Sequence, residues 1–363
     1  MPVTTPVARA ALLGRFPELT RYGRTATRLH PRPGAPTAQD SSVGGPLLWP
    51  SDEAWPTCTL RHPVEKQRPE TEQEAARRHA QSVEARSRKW LHVAELEALG
   101  DRIAPELLAR ARASAATPPP PTGPGSVTWH EYEQLPEPVV LVPVLQLHRR
   151  ETSAVPFPDG TDLLQILWCP GRHENHGPAA RVFWRDAASV TDPLPVMPAP
   201  NHVERETFVP RPCVVHPEDV VEYPPICLLP REDEGYEHFG MMPAELEDAV
   251  RRWSDGQPER DDYDNLSRAP GWKVGGWDPS SAGTENLRTC ECGARMRPLL
   301  STDYSEWLDL WPPQGDPGFH WGDPMRWQDR EPTGVNFTRS GEYLVLSCPA
   351  EPQQHPLSYV ITH

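Results

Sequence analysis

One ordered set of short motifs occurs twice in this chain, and that order restricts the fold more than any other feature. The first set runs Ser42-Val43-Gly44-Gly45-Pro46, Trp55-Pro56-Thr57-Cys58, Leu141-Val142-Pro143-Val144-Leu145-Gln146-Leu147 and Leu167-Trp168-Cys169-Pro170. The second runs Lys273-Val274-Gly275-Gly276-Trp277, Cys290-Glu291-Cys292-Gly293, Met296-Arg297-Pro298-Leu299-Leu300 and Leu346-Ser347-Cys348-Pro349. Each leads from a Gly-Gly turn through a cysteine and a short apolar strand to a strand ending in Cys-Pro. One supersecondary unit used twice and packed on itself predicts a single pseudo-symmetric body, residues 1–363. Its first repeat covers about residues 40–190, a connecting segment 191–270, and the second repeat about 271–363.

The composition agrees with short strands. Only 37% of the residues are hydrophobic and 47 are proline, which interrupts long helices and crowds the connections. The 13 tryptophans read as core anchors or as the lining of an aromatic groove. A net charge of −15 repels phosphate backbones, and no basic run offsets it, so nucleic acid is not an expected partner. The same charge suits a basic protein partner. Lysine occurs only at Lys66, Lys89 and Lys273, read here as codon bias of a GC-rich bacterial genome. No stretch reaches the roughly 18 apolar residues that span a bilayer. The N-terminal segment, broken by Arg9 and Arg15, reads as a short amphipathic helix and makes a poor signal peptide. Seven cysteines, an odd number at low density, predict reduced thiols in the cytoplasm.

Along the chain, residues 1–40 predict a short helix and a loop. Residues 65–115 are rich in Ala, Glu, Arg and Gln with helical periodicity over Thr71–Arg86 and Pro105–Ala113, and predict a helical insertion in the first repeat. The Pro118–Gly125 run closes it as a stiff linker. Strands are predicted at Val139–Leu147, Asp162–Trp168, Arg181–Trp184, Val214–Tyr223, Tyr343–Ser347 and Tyr359–Thr362. A helix is predicted from Pro243 to Val250. Residues 254–268 predict a polar loop, with Asp261-Asp262-Tyr263-Asp264 as a solvated turn lacking the glycine and distal glutamate of a calcium loop.

The motifs resemble those of the DUF1963 (YwqG-like) family. The resemblance rests on Ser42-Val43-Gly44-Gly45-Pro46 with Trp55-Pro56, Pro143-Val144-Leu145-Gln146-Leu147, Gly271-Trp272-Lys273-Val274-Gly275-Gly276, the Cys290/Cys292-Gly293-Ala294-Arg295-Met296 segment and Glu306-Trp307. It spans about residues 40–363 outside the insertion. It implies an α+β, β-rich, internally duplicated YwqG-like fold, and supplies no established activity. It also implies Cys-x-x-Cys-Gly where this chain has the shorter Cys290-Glu291-Cys292.

Two sets of metal ligands emerge. Cys58 and His62 share the spacing of Cys169 and His173, and zinc prefers a tetrahedral set of thiolates and imidazoles that tight turns present in pairs. More than a hundred residues separate the pairs, so the duplicated strands must bring them together; His176 is a fallback ligand. Cys290, Cys292, Cys348 and His355 form the second set, with Gly293 permitting the tight backbone of a knuckle. The competing reading of the first set is a buried free cysteine beside surface histidines. Cys213 and Cys227 remain as small buried residues.

No nucleophile elbow, phosphate loop, dinucleotide fingerprint or His-Glu-x-x-His is present in the sequence, and His173-Glu174-Asn175-His176 has the wrong spacing for the last. The expected function is therefore a cytoplasmic binding or scaffolding protein, with a protein partner, no membrane and one or two structural zinc ions. The alternatives are a metal-dependent hydrolase with an open zinc position and an acidic neutraliser of a basic toxin or effector. Trp49, Trp55, Trp272 and Trp277, near the Gly-Gly turns, are candidates for a ligand face, with core packing as their other role.

Overall fold

The computed structural model describes residues 4–98, 100, 104–118, 123–174, 177–226, 241–258, 262–278, 288–303, 305–306, 311, 331–337 and 342–361. The chain separates into two compact units, one formed by residues 1–62 and 134–363 and the other by residues 63–133.

The larger unit is α+β and holds two six-stranded antiparallel sheets. Sheet 1 contains, side by side, β2 (Arg32–Pro33), β11 (Cys213–Val214), β3 (Ser42–Val43), β8 (Val142–His148), β9 (Leu163–Trp168) and β10 (Ala180–Arg185). Sheet 2 contains β12 (Glu218–Glu222), β1 (Arg24–Arg28), β13 (Lys273–Gly275), β14 (Arg297–Thr302), β15 (Tyr343–Ser347) and β16 (Ser358–Ile361). The four strands after each Gly-Gly motif run in the same spatial order, β3-β8-β9-β10 and β13-β14-β15-β16. Each also carries a register shift at the same place, between Pro143 and Leu145 and between Pro298 and Leu300.

The central strands β9 and β15 are buried along their whole length, because each is covered on both faces. One face of β9, with Leu164, Ile166 and Trp168, meets Trp272, Val274, Leu299 and Val345 of sheet 2 in one core. Its other face gives Leu167 to a cluster with Trp49, Cys58, Leu141 and Cys169. Such two-sided burial explains the near-continuous apolar runs. A second core gathers α1 (Ala8–Arg15), α4 (Ala244–Ser254) and α5 (Tyr263–Ser267) around Leu12, Phe16, Val250, Tyr263 and Leu266.

Three sequence expectations change. Residues 1–40 contain β1 and β2 as well as the helix. The 254–268 loop contains α5, whose N-cap Asp262 accepts the Asn265 N–H at 2.8 Å. Tyr263 is buried, its hydroxyl donating to the Pro224 carbonyl at 2.8 Å, so this is no solvated turn; Asp261 lies outside the described residues.

The smaller unit is more than a helical insertion. Strands β5 (His62–Pro69) and β6 (Ser126–Glu133) pair as a ribbon that frames α2 (Glu72–Ala98) and α3 (Pro105–Ala116). Thr71 and Glu74 form a capping box, with Glu74 Oε2 accepting the Thr71 N–H at 2.9 Å and Thr71 Oγ1 accepting the Glu74 N–H at 3.3 Å. Pro105 opens α3 at a position where no backbone donor is needed. Among the described residues no helix is long and apolar enough to cross a membrane.

Candidate metal centres

The four residues of the first set converge from two turns. Cys58 ends β4 (Thr57–Cys58), which pairs with β7 (Val139–Val140), and His62 opens β5. Cys169 follows β9, and His173 lies four residues on, past Pro170 and Gly171. All four donor atoms lie within 4.8 Å of one another and all four residues are buried. His62 Nε2 is 3.1 Å from Cys169 Sγ, and His173 Nε2 is 3.7 Å from Cys58 Sγ. His173 Nδ1 sits 3.0 Å from the Arg61 carbonyl, which places the ring proton on Nδ1 and leaves Nε2 as a ligand atom. Arg172 anchors the turn, its backbone N–H donating to Glu204 at 2.7 Å while its side chain pairs with the same carboxylate. At position 171 a Cβ would come within 3.0 Å of the His62 ring, so glycine leaves room for the imidazole.

The charges here suit a cation. The Cys58 thiol is held far below its ordinary value, first by its contact with Cys169 and, against burial, by His173 and His62. Cys169 is driven up by Cys58 and then by desolvation. Two thiolates this close repel each other in a buried site, so ionising both calls for a positive partner.

The second set converges in the same fashion, with all donor atoms within 4.8 Å. Gly293, at φ +85°, closes a tight turn in which the Gly293 N–H donates to the Cys290 carbonyl at 2.8 Å. This turn compensates for the single residue between Cys290 and Cys292. His355 Nδ1 is 3.2 Å from Cys348 Sγ and 3.4 Å from Cys290 Sγ, and Cys292 Sγ is 3.6 Å from Cys348 Sγ. The Cys348 thiol is lowered to about 6, first by His355 and then by the Glu351 backbone N–H. Cys292 is exposed and the other two cysteines are buried.

The two sets occupy matching ladder positions. Thr57 pairs with Val140 two residues before Val142, and Thr289 bridges Arg295 two residues before Arg297. That places Cys58 opposite Cys290 in the scheme, and Cys169 opposite Cys348. The remaining ligands do not match: His62 against Cys292, and His173 against the more distant His355.

Of the tryptophans named as a ligand face, Trp49, Trp272 and Trp277 are buried and Trp55 is half-buried. Trp49 is fully buried and packs 5.1 Å from Trp55, whose ring N–H donates to the Leu141 carbonyl. Trp272 is buried 6.2 Å from Trp168, and Trp277 is buried with its ring N–H on the Tyr22 carbonyl. Cys213 is a buried free thiol in the main core, whereas His176, Cys227 and Trp307 lie outside the described residues. Sequence reasoning missed the supporting Arg61 carbonyl and Glu204, since neither carries a pattern; Gly171, inside Cys-Pro-Gly-x-His, was the one readable support. Comparison with family models and with curated proteins finds no match for this chain.

Proposed function

We propose that each cluster holds one structural zinc ion, and that the chain is a zinc-stabilised binding or scaffolding protein built by doubling one β-unit. The carrying observation is the convergence of four protein thiol and imidazole donors at each of two places. Thiolate and imidazole sets of this kind suit zinc, and four protein ligands leave no position for an activated water. That favours a structural ion over the hydrolase alternative. Doubling is supported by the common strand order, the shared bulge at Pro143 and Pro298, and the matched Cys58/Cys290 and Cys169/Cys348 positions. The same motifs support a place in the DUF1963 (YwqG-like) family, and the six free cysteines among the described residues support a reducing, cytoplasmic setting.

The test is elemental analysis of protein purified without chelator or metal-binding tag, alongside Cys58→Ser and Cys290→Ser. We expect two zinc ions per chain in the parent and one in each variant, with a lowered thermal midpoint, because metal-binding free energy is folding free energy in such sites. Metal-free parent protein of unchanged stability would refute the reading.

A further inference from the structure

A cavity of about 220 Å³ opens at one end of sheet 2, walled by Arg24 of β1, Gly275 of β13, Arg297 and Leu299 of β14, Trp184 of β10 and the neighbouring Val155. Its lining includes two arginines, the candidate metal ligand Cys348 at one edge and, among the described residues, no carboxylate. In a chain with 51 acidic and 36 basic residues, that local balance is the reverse of the whole. The Arg24 guanidinium lies 3.4 Å from the centroid of the Trp277 ring. Burial, and then Arg297 and Arg295, bring its pKa down to about 10; the charges that act on it are cations.

Register shows that the fold itself does not ask for these cations. Val274 pairs with Thr27 as Val43 pairs with Cys213, which sets Arg24 in the place that Pro210 takes beside sheet 1. Pro298 and Pro143 head the same bulge, which sets Arg297 in the place of Val142. A proline and a valine fill the equivalent positions.

We propose that this cavity binds a small organic oxyanion, a carboxylate or a phosphate monoester with a short apolar part. The planar forks of Arg24 and Arg297 suit either oxyanion, and Val155, Pro156 and Leu299 offer the apolar wall. The size suits a ligand of roughly one ring.

The experiment is calorimetric titration of the full, metal-loaded chain at constant ionic strength with benzoate, phenyl phosphate and, as the uncharged control, benzamide. Arg297→Gln, at an exposed position, and Arg24→Lys, which keeps the charge and loses the fork, are titrated in parallel. Thermal midpoint and metal content are measured on every sample, so a failure of the zinc reading is seen separately. We expect saturable binding of at least one anion, no binding of benzamide, and at least tenfold weaker binding in both variants. Benzoate alone assigns a carboxylate ligand and phenyl phosphate alone a phosphate monoester. Absence of saturable binding by both anions, equal binding of benzamide, or unchanged affinity in both folded variants overturns the proposal.

Discussion

Glu306 is enclosed by protein, with Oε1 accepting the Trp272 N–H at 2.8 Å and Oε2 meeting no donor among the described residues. Desolvation is the leading cause of its pKa rising to about 7, against the pull of the Trp272 N–H and of Arg28. The folded chain therefore holds this proton at pH values where the unfolded chain has released it. The stabilisation is full below the ordinary carboxylate value near 4.5 and is lost as pH rises through about 7. Over that window the term amounts to about 3 kcal/mol. Glu306→Gln should flatten the fall in stability between pH 4.5 and 7, read from denaturant midpoints of parent and variant; an unchanged slope would exclude this role. Lys273 and Glu222 are a different case, an ion pair at 2.7 Å with both side chains fully buried. The lysine also donates to the Ala269 carbonyl, and Glu222 accepts the backbone N–H groups of Ala269 and Trp277. Lys273→Met strands that carboxylate and should cost about 3–5 kcal/mol, measured by urea unfolding. Gly276, at φ +77°, leaves room for the same carboxylate, since a Cβ there would approach Glu222 Oε2 to 2.3 Å. Gly276→Ala should therefore destabilise by more than about 1 kcal/mol.

At the scale of elements, the β5–β6 ribbon brings Glu70 N within 3.0 Å of the Gly125 carbonyl, so the chain leaves and re-enters the ribbon side by side. Replacing residues 71–124 with a two-residue Asn-Gly turn matches that spacing. The shortened protein should keep the metal content of the parent and a single cooperative unfolding transition, as read by elemental analysis and calorimetry. Loss of either ion would show that the helices support the metal centres. The elements differ in how plainly the sequence announces them. Strands β8, β9 and β15 were legible because they are covered on both faces and are mostly apolar, with Gln146, His148, Gln165 and Ser347 as the polar exceptions. Strand β1 was not: Arg24-Thr25-Ala26-Thr27-Arg28 reads as polar surface, yet Arg28 is buried and donates to the Glu306 carbonyl at 2.9 Å. Its charge is compensated by partners that are far away in sequence, which no local pattern reveals. The ribbon strand His62–Pro69 was hidden likewise by Glu65, Lys66, Gln67 and Arg68, residues that suit a two-stranded element with little to bury. The candidate metal-ligand sets were legible as residue types and spacings, and the repeated order of motifs indicated which distant cysteines should meet. The divergent ligands His62 against Cys292 were not predictable from the repeats, because the turn at Gly293 solves the geometry differently from β5.

For the whole molecule, removal of both ions is the broadest test of the zinc reading. A strong chelator should lower the thermal midpoint of the parent and of each single-site variant, and leave a Cys58→Ser/Cys290→Ser double variant unaffected. A midpoint unmoved by the chelator in the parent would count against stabilising metal. The two sheets are not each made by one half of the chain. Strand β1 belongs to the first half but lies in sheet 2 between β12 and β13, whereas β11 follows the first set of motifs and lies in sheet 1 between β2 and β3. Arg28, placed opposite Lys273, therefore emerges from the ribosome roughly 12–50 s before its neighbour at ordinary rates of synthesis. During that interval an arginine-bearing strand has no sheet to join, and nascent sheet 1 lacks the strand that separates β3 from β2. The exchange of strands makes the two halves mutually dependent, so a ribosome stalled midway releases a chain with two unfinished sheet edges and only the first of its cysteine sets.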